Sequence, residues 1–146
     1  MQACGKDDYV HEQDNLKTIH QVYAAFGEGD IEGVLGMLTD DVRWSTPGPP
    51  DVIPYAGLKT GHDQVAGYFK SFGEAVETKE FEPRRFFAQD DMIVVLGRYA
   101  FRVVSTGNAV DNDWVHTFKL TGGMISVFEG YEDSAAVVAA FTAKPH

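Results

Sequence analysis

The sequence holds one cysteine, Cys4, so no internal disulfide can form and no CxxC pair is available for a metal or redox centre. Basic residues are scarce, 12 Lys and Arg against 22 Asp and Glu, for a formal charge of -10. A chain this acidic is repelled by nucleic-acid phosphates and by anionic membrane surfaces, so neither is an expected partner. No run approaches the roughly 18 consecutive apolar residues that a bilayer span needs. The opening residues MQACGKDDYVHEQD lack the apolar stretch of a signal peptide or lipoprotein leader. These absences predict a soluble protein of the reducing cytoplasm. Metal ligation is not expected either. Strand alternation sends Asp111 and Asp113 away from Asn112, and His11, His20, His62 and His146 read as solvated. Gly122-Gly123 is a turn and not a phosphate cradle, because no long helix follows it.

What is present is aromatic. Ten Phe, six Tyr and two Trp in 146 residues call for a sizeable core, and the length fits one domain spanning 1–146. Residues 1–10 are polar and expected to fray. Leu16, Ile19, Val22, Tyr23 and Phe26 then recur at helical spacing up to Gly27 and Gly29. Asp30 is a helix N-cap for a short second helix carrying Ile31, Val34, Leu35 and Leu38, closed by Asp40-Asp41. Residues 42–46 alternate as a strand with Val42, Trp44 and Thr46 on one face, ended by Pro47. Four of the six prolines fall in PGPPDVIPYAG, a rigid loop suited to a pocket rim. A third helix over 61–75 carries Val65, Tyr68, Phe69 and Phe72. Strands follow over 81–88, 92–104, 112–119 and 124–131, and a short helix over 134–141. Helices first and a run of long antiparallel strands after them make an α+β fold.

The stretch YAFRVVSTGNAVDNDWVHTFK carries the chemistry. Gly107-Asn108 is a two-residue hairpin signal. It predicts Val103 opposite Asn112, Phe101 opposite Trp114 and Tyr99 opposite His116, all on one face. The other face holds Arg98, Ala100, Arg102, Asp113, Val115 and Thr117, with Arg102 and Asp113 as an ion pair. A face of Tyr, Phe, Val, Trp, Asn and His is too aromatic for water and too polar for a plain core, which predicts a ligand pocket. His116 is the candidate catalytic residue. Among aromatics its charged form is disfavoured, leaving a neutral ring able to accept a proton near pH 7. The competing reading is a core histidine bonded to Tyr99 or to a backbone carbonyl. Trp114, Tyr99, Asn112, Thr46 and Tyr55 are candidate contacts to a ligand oxygen, and Trp44, Tyr68, Phe69, Phe101 and Phe128 candidate apolar walls.

The segments YAAFGEGDIEGVLGMLTDDVRWSTPGP, PYAGLKTG, VVLGRYAF and DNDWVHTFKLTGGMISVFEGYEDSAA together resemble the NTF2-like superfamily. Within it they are most similar to the SnoaL-like branch that includes ketosteroid isomerases and polyketide cyclases. The resemblance spans nearly the whole chain. It implies a cone-shaped fold, a curved antiparallel sheet with the N-terminal helices on its concave face, a deep pocket, and a homodimer through the outer sheet face at Ala100 and Val115. The isomerases' general-base Asp falls at Thr46, their protonated Asp at His116, and their helix-borne Tyr at Val22, one place from Tyr23, whose side chain is expected to point elsewhere. The Asp-Arg-Asp set of limonene epoxide hydrolases is also broken, because Arg98 is followed by Ala100 and the last-strand Asp falls at Gly130. Glu132 is the same-face carboxylate on that strand. The function so implied is cofactor-free acid-base chemistry on a small hydrophobic, oxygenated molecule, through isomerisation, cyclisation or hydration of a steroid, polyketide or terpenoid-like compound. The alternative is a non-catalytic ligand-binding or dimeric interaction module.

Overall fold

The computed structural model describes residues 6–142, with side chains from residue 11 onward. Ten elements follow one another: α1 (Lys6–Gly27), α2 (Ile31–Leu35), β1 (Leu38–Thr46), β2 (Gly57–Thr60), α3 (Gly61–Ala75), β3 (Val76–Gln89), β4 (Met92–Val103), β5 (Ala109–Thr121), β6 (Met124–Glu132) and α4 (Ser134–Thr142). Helix α1 opens at Lys6, inside the stretch expected to fray; residues 1–5 of that expectation lie outside the described residues. Among the described residues no helix is long and apolar enough to cross a membrane.

The six strands form one curved sheet in the order β2-β1-β6-β5-β4-β3. It is mixed and not wholly antiparallel, because β1 returns alongside β6 in the parallel sense while every other pair is antiparallel. Two further elements differ from expectation. Leu38, Asp40 and Asp41 belong to β1 and not to the second helix, which ends at Leu35; Leu38 and Val42 are fully buried across a bulge in the β1–β6 pairing. Residues 57–60, where no strand is expected from the sequence, add β2 at the sheet edge. The Asp30 cap is in place, its carboxylate accepting from the Gly33 amide at 2.9 Å.

The central hairpin keeps its faces and changes its register. Arg102 pairs with Ala109, Phe101 with Val110, Tyr99 with Asn112, Gly97 with Trp114 and Val95 with His116. The loop is therefore the four residues 104–107, not Gly107-Asn108 alone. The Val103 amide reaches the Asn108 carbonyl, the Gly107 amide reaches the Val103 carbonyl, and Gly107 takes the positive φ of 78° that closes the turn. Thr106 Oγ1 and Asn108 Nδ2 both donate to the Ala140 carbonyl at 2.6 and 3.1 Å, so packing on α4 fixes the longer loop. Each residue's partner lies four positions from the one expected, an even slip, so with a side-chain period of two every residue keeps its face. It does change the ion pairs. Arg98 pairs with Asp111 and Asp113, while Arg102 pairs with Glu77 on β3, so the expected Arg102–Asp113 pair does not form.

The concave face packs under α1 and α3. Ile19 and Val22 from α1, Val65 from α3 and Val95, Phe101, Trp114 and Phe118 from the sheet join one buried cluster.

Candidate functional site

Three strands floor the inside of the cone, and their registers set its tiles. On β6 the inward residues are Phe128, Gly130 and Glu132. On β5 their partners are Phe118, His116 and Trp114 respectively. On β1 Trp44 lies beside Phe128, and the parallel run carries Thr46 towards Gly130. The floor therefore has one bare position, Gly130, flanked by Thr46 and His116, with Glu132 one step further along the same strand. Packing does not require a glycine there. A Cβ would meet only the Phe128 ring at 3.6 Å and Pro47 at 3.7 Å, ordinary contacts.

Above this floor lies a cavity of about 80 Å³. It is smaller than the ~150 Å³ cavity that holds a benzene ring, so a ring-sized ligand enters only as lining side chains turn aside. Ten of the twelve residues singled out from the sequence line it: His116, Trp44, Thr46, Tyr55, Tyr68, Phe69, Tyr99, Phe101, Phe128 and Glu132. Two do not. Trp114 is buried beneath the wall, stacked between Phe81 at 5.1 Å and His116 at 3.9 Å, its indole filling the space over Gly97. Asn112 is buried behind Tyr99 and Glu132. Both hold wall residues in place and neither reaches the cavity.

His116 sits in an aromatic enclosure of Tyr23, Trp114, Phe118 and Phe128. Its partner is neither Tyr99 nor a backbone carbonyl but the Tyr23 hydroxyl, 2.7 Å from Nδ1. Tyr23 thus points into the cavity, contrary to expectation. Val22 and Tyr23 straddle the buried stripe of α1, so both reach the lining. Among the described residues the Tyr23 hydroxyl has no other hydrogen-bond partner. With the O–H donating to Nδ1, His116 is the Nε2–H tautomer and its second ring nitrogen is left as a donor. Burial pulls the His116 pKa from 6.5 down to about 3. The ring is therefore neutral, and it is a far weaker proton acceptor at pH 7 than the sequence suggested. What His116 offers a ligand is an Nε2–H donor.

The second polar group is Glu132. Its Oε2 accepts a hydrogen bond from the Tyr99 hydroxyl and a longer one, 3.4 Å, from Asn112 Nδ2. Asn112 Nδ2 also donates to the Tyr99 oxygen at 3.0 Å and to the Asp133 carbonyl at 3.2 Å, locking the corner. Oε1 has no hydrogen bond among the described residues. Burial raises the Glu132 pKa, against the lowering effect of Tyr99 and Asn112. Tyr55 and Tyr68 lie within its field. Burial first, then that carboxylate, lifts the Tyr55 hydroxyl well above its ordinary range, and burial pushes Tyr68 up to about 12. The Tyr68 hydroxyl lies against Thr46 and Trp44, yet Thr46 Oγ1 and Trp44 Nε1 make no hydrogen bond among the described residues. Of the four histidines read as solvated, His20 is exposed with its ring on Phe86, and His62 is half-buried with Nε2 3.0 Å from the Leu38 carbonyl. His11 is exposed, and His146 lies outside the described residues.

A profile of the SnoaL-like domain matches residues 19–128. No curated protein sequence matches the chain. Among solved structures, an NTF2-like protein from Burkholderia xenovorans superposes with a TM-score of 0.82 at 30% identity, over 90% of this chain and 98% of that one. An NTF2-like protein of unknown function from Burkholderia pseudomallei gives 0.82 and 30%, over 89% and 98%. TerC, co-crystallised with polyporic acid, gives 0.80 and 26%, over 89% and 99%.

Proposed function

The chain belongs to the SnoaL-like family, and on that premise we propose that its cavity binds a compact, hydrophobic, oxygenated molecule and transfers a proton on it without a cofactor. The observation that carries this reading is the placement of His116 beside the bare Gly130 floor and of Glu132 one step along β6 from it, inside an aromatic wall. A ligand lying over Gly130 presents its carbonyl oxygen to His116 Nε2–H. Negative charge that grows on that oxygen strengthens the bond, and a neutral imidazole donates this bond while keeping its proton. Glu132, a carboxylate made more basic by burial, takes a proton from the carbon next to the carbonyl and returns it elsewhere. Isomerisation and aldol-type cyclisation share this step. Tyr99, held with Glu132 by Asn112, fixes the carboxylate, while Trp44, Tyr68, Phe69, Phe101 and Phe128 supply the apolar surface and Thr46 and Tyr55 the remaining polar contacts. Trp114 supports the His116 ring from below. That the relative TerC has been crystallised with polyporic acid supports a small-molecule role for a cavity of this fold.

The second reading is a non-catalytic binding or interaction module, and the low proton affinity of His116 favours it. A thermal-shift screen with steroid, polyketide-like, terpenoid and fatty-acid ligands on wild type and His116→Gln separates the two. Ligand binding raises the midpoint by mass action, so the reaction need not be known. A class-specific shift supports the cavity as a binding site; no shift with any class counts against it. If the site is catalytic, His116→Gln keeps the shift and lowers turnover.

A homodimer in a cytoplasmic setting completes the proposal. The outer sheet face presents half-buried Val94, Leu96, Ala100 and Val115 with exposed Phe87 and Tyr131, an apolar surface suited to a second copy. Sedimentation at micromolar concentration gives a dimer on this reading, and a monomer contradicts it.

A further inference from the structure

Charge is distributed unevenly between the surface and the cavity. Among the described residues all the ion pairs lie on the protein exterior, between Arg or Lys and Asp or Glu side chains. The cavity wall has no Lys or Arg, and its one carboxylate is Glu132. The groups facing Glu132 from each neighbouring element are Tyr99 of β4, Asn112 of β5, Tyr55 of the proline-rich loop and Tyr68 of α3, with Asp133 next in the chain. None is a cation. His116 is neutral at neutral pH, because burial lowers its pKa. A buried anion is stable only when paired or hydrogen-bonded. Tyr99 and Asn112 provide for one carboxylate, and no cation in the wall supplies the counter-charge a second would need.

We infer that the ligand enters this cavity without a negative charge, any acid group it once had being esterified, amidated or removed beforehand, and that Glu132 enforces the exclusion. The inference rests on the reading of the cavity as a ligand site and narrows it. Among the screened classes, fatty-acid anions are then rejected and uncharged ketones, esters and amides accepted. The reaction that supplies the substrate is correspondingly one that masks or discards a carboxylate.

Benzamide and benzoate test this directly, because they share ring, size and planar outline and differ in charge. Titration at pH 8 followed by midpoint shift and by ligand-observed NMR should show benzamide binding wild type and benzoate binding about a hundredfold more weakly, the penalty for like charges roughly 6 Å apart at an effective dielectric of 20. Glu132→Gln keeps partners for Tyr99 and Asn112 and removes the charge, so the gap between the two probes should close to within severalfold. Equal binding of the two probes to wild type overturns the inference, as does a gap that persists in Glu132→Gln. If neither probe binds wild type, the ligand-site reading itself fails and the inference falls with it. Binding of benzamide beside rejection of benzoate leaves that reading standing.

Discussion

Replacing Tyr23 with Phe deletes one hydroxyl from the cavity wall and leaves the ring that packs against Phe81, Phe86, Trp114 and Phe118. The hydroxyl's recorded partner is His116 Nδ1 at 2.7 Å. Its loss leaves a buried ring nitrogen without a partner, a cost of about 1–2 kcal/mol. At this chain length 1 kcal/mol moves the thermal midpoint by about 3 °C, so Tyr23→Phe should melt some 3–6 °C below wild type. A structural hydrogen bond of any kind would give that result, so the tautomer is the sharper readout. In wild type, long-range nitrogen–proton NMR of the imidazole should show a single Nε2–H form, because the Tyr23 hydroxyl occupies Nδ1. In Tyr23→Phe the ring should populate both neutral tautomers. A wild-type His116 protonated on Nδ1, or a tautomer unchanged by the substitution, refutes the assignment of Nε2–H as the donor offered to a ligand.

Other outcomes follow from the same structure. Because the folded pKa of His116 lies near 3 and the unfolded value near 6.5, the unfolded chain binds a proton that the native state refuses between those limits, and stability falls as pH drops through that window. At pH 5 the loss attributable to His116 is at most about 2 kcal/mol relative to pH 7. Glu132 runs the other way, its raised pKa adding stability as pH falls, so the comparison by urea denaturation is of wild type with His116→Gln, where the His contribution vanishes. Gly97→Ala should destabilise by about 2–3 kcal/mol, since a Cβ there would lie 2.6 Å from the Glu82 carbonyl oxygen and closer still to the Trp114 indole. Near-wild-type stability of that variant would mean that the Trp114 ring is not seated over Gly97. Arg98→Ala removes two exposed ion pairs to Asp111 and Asp113 and should cost less than about 1 kcal/mol in chemical denaturation.

The faces of the hairpin were legible in the sequence because they depend only on alternation. Its register was not, because that is set by where Thr106 and Asn108 meet the Ala140 carbonyl, a contact 32 to 34 residues away in the chain. The boundary of β1 was missed for a related reason. Leu38 fits the apolar spacing of the preceding helix, and only pairing with Ile125 of β6 draws it into the sheet. In the site, the wall residues on strands followed from parity, whereas Tyr23 depended on how α1 lies across the sheet, which periodicity does not specify. Trp114 and Asn112 were placed on the correct face but one layer too far forward, since alternation gives direction and not depth. Gly130 carries no side chain to notice. Its role emerges only when β5, β6 and β1 are set in register around it.

The most direct test of the central claim needs no natural substrate. A small uncharged cyclic ketone such as 1-indanone, kept in D2O with the protein, reports removal of the proton next to its carbonyl as loss of that NMR signal. Wild type should accelerate the exchange over buffer, with the acceleration lost in Glu132→Gln, which removes the base, and reduced in His116→Gln, which alters the donor to the carbonyl oxygen. Binding of the ketone without any exchange above the buffer rate, or exchange that survives Glu132→Gln undiminished, would contradict the account and leave the cavity as a binding site alone.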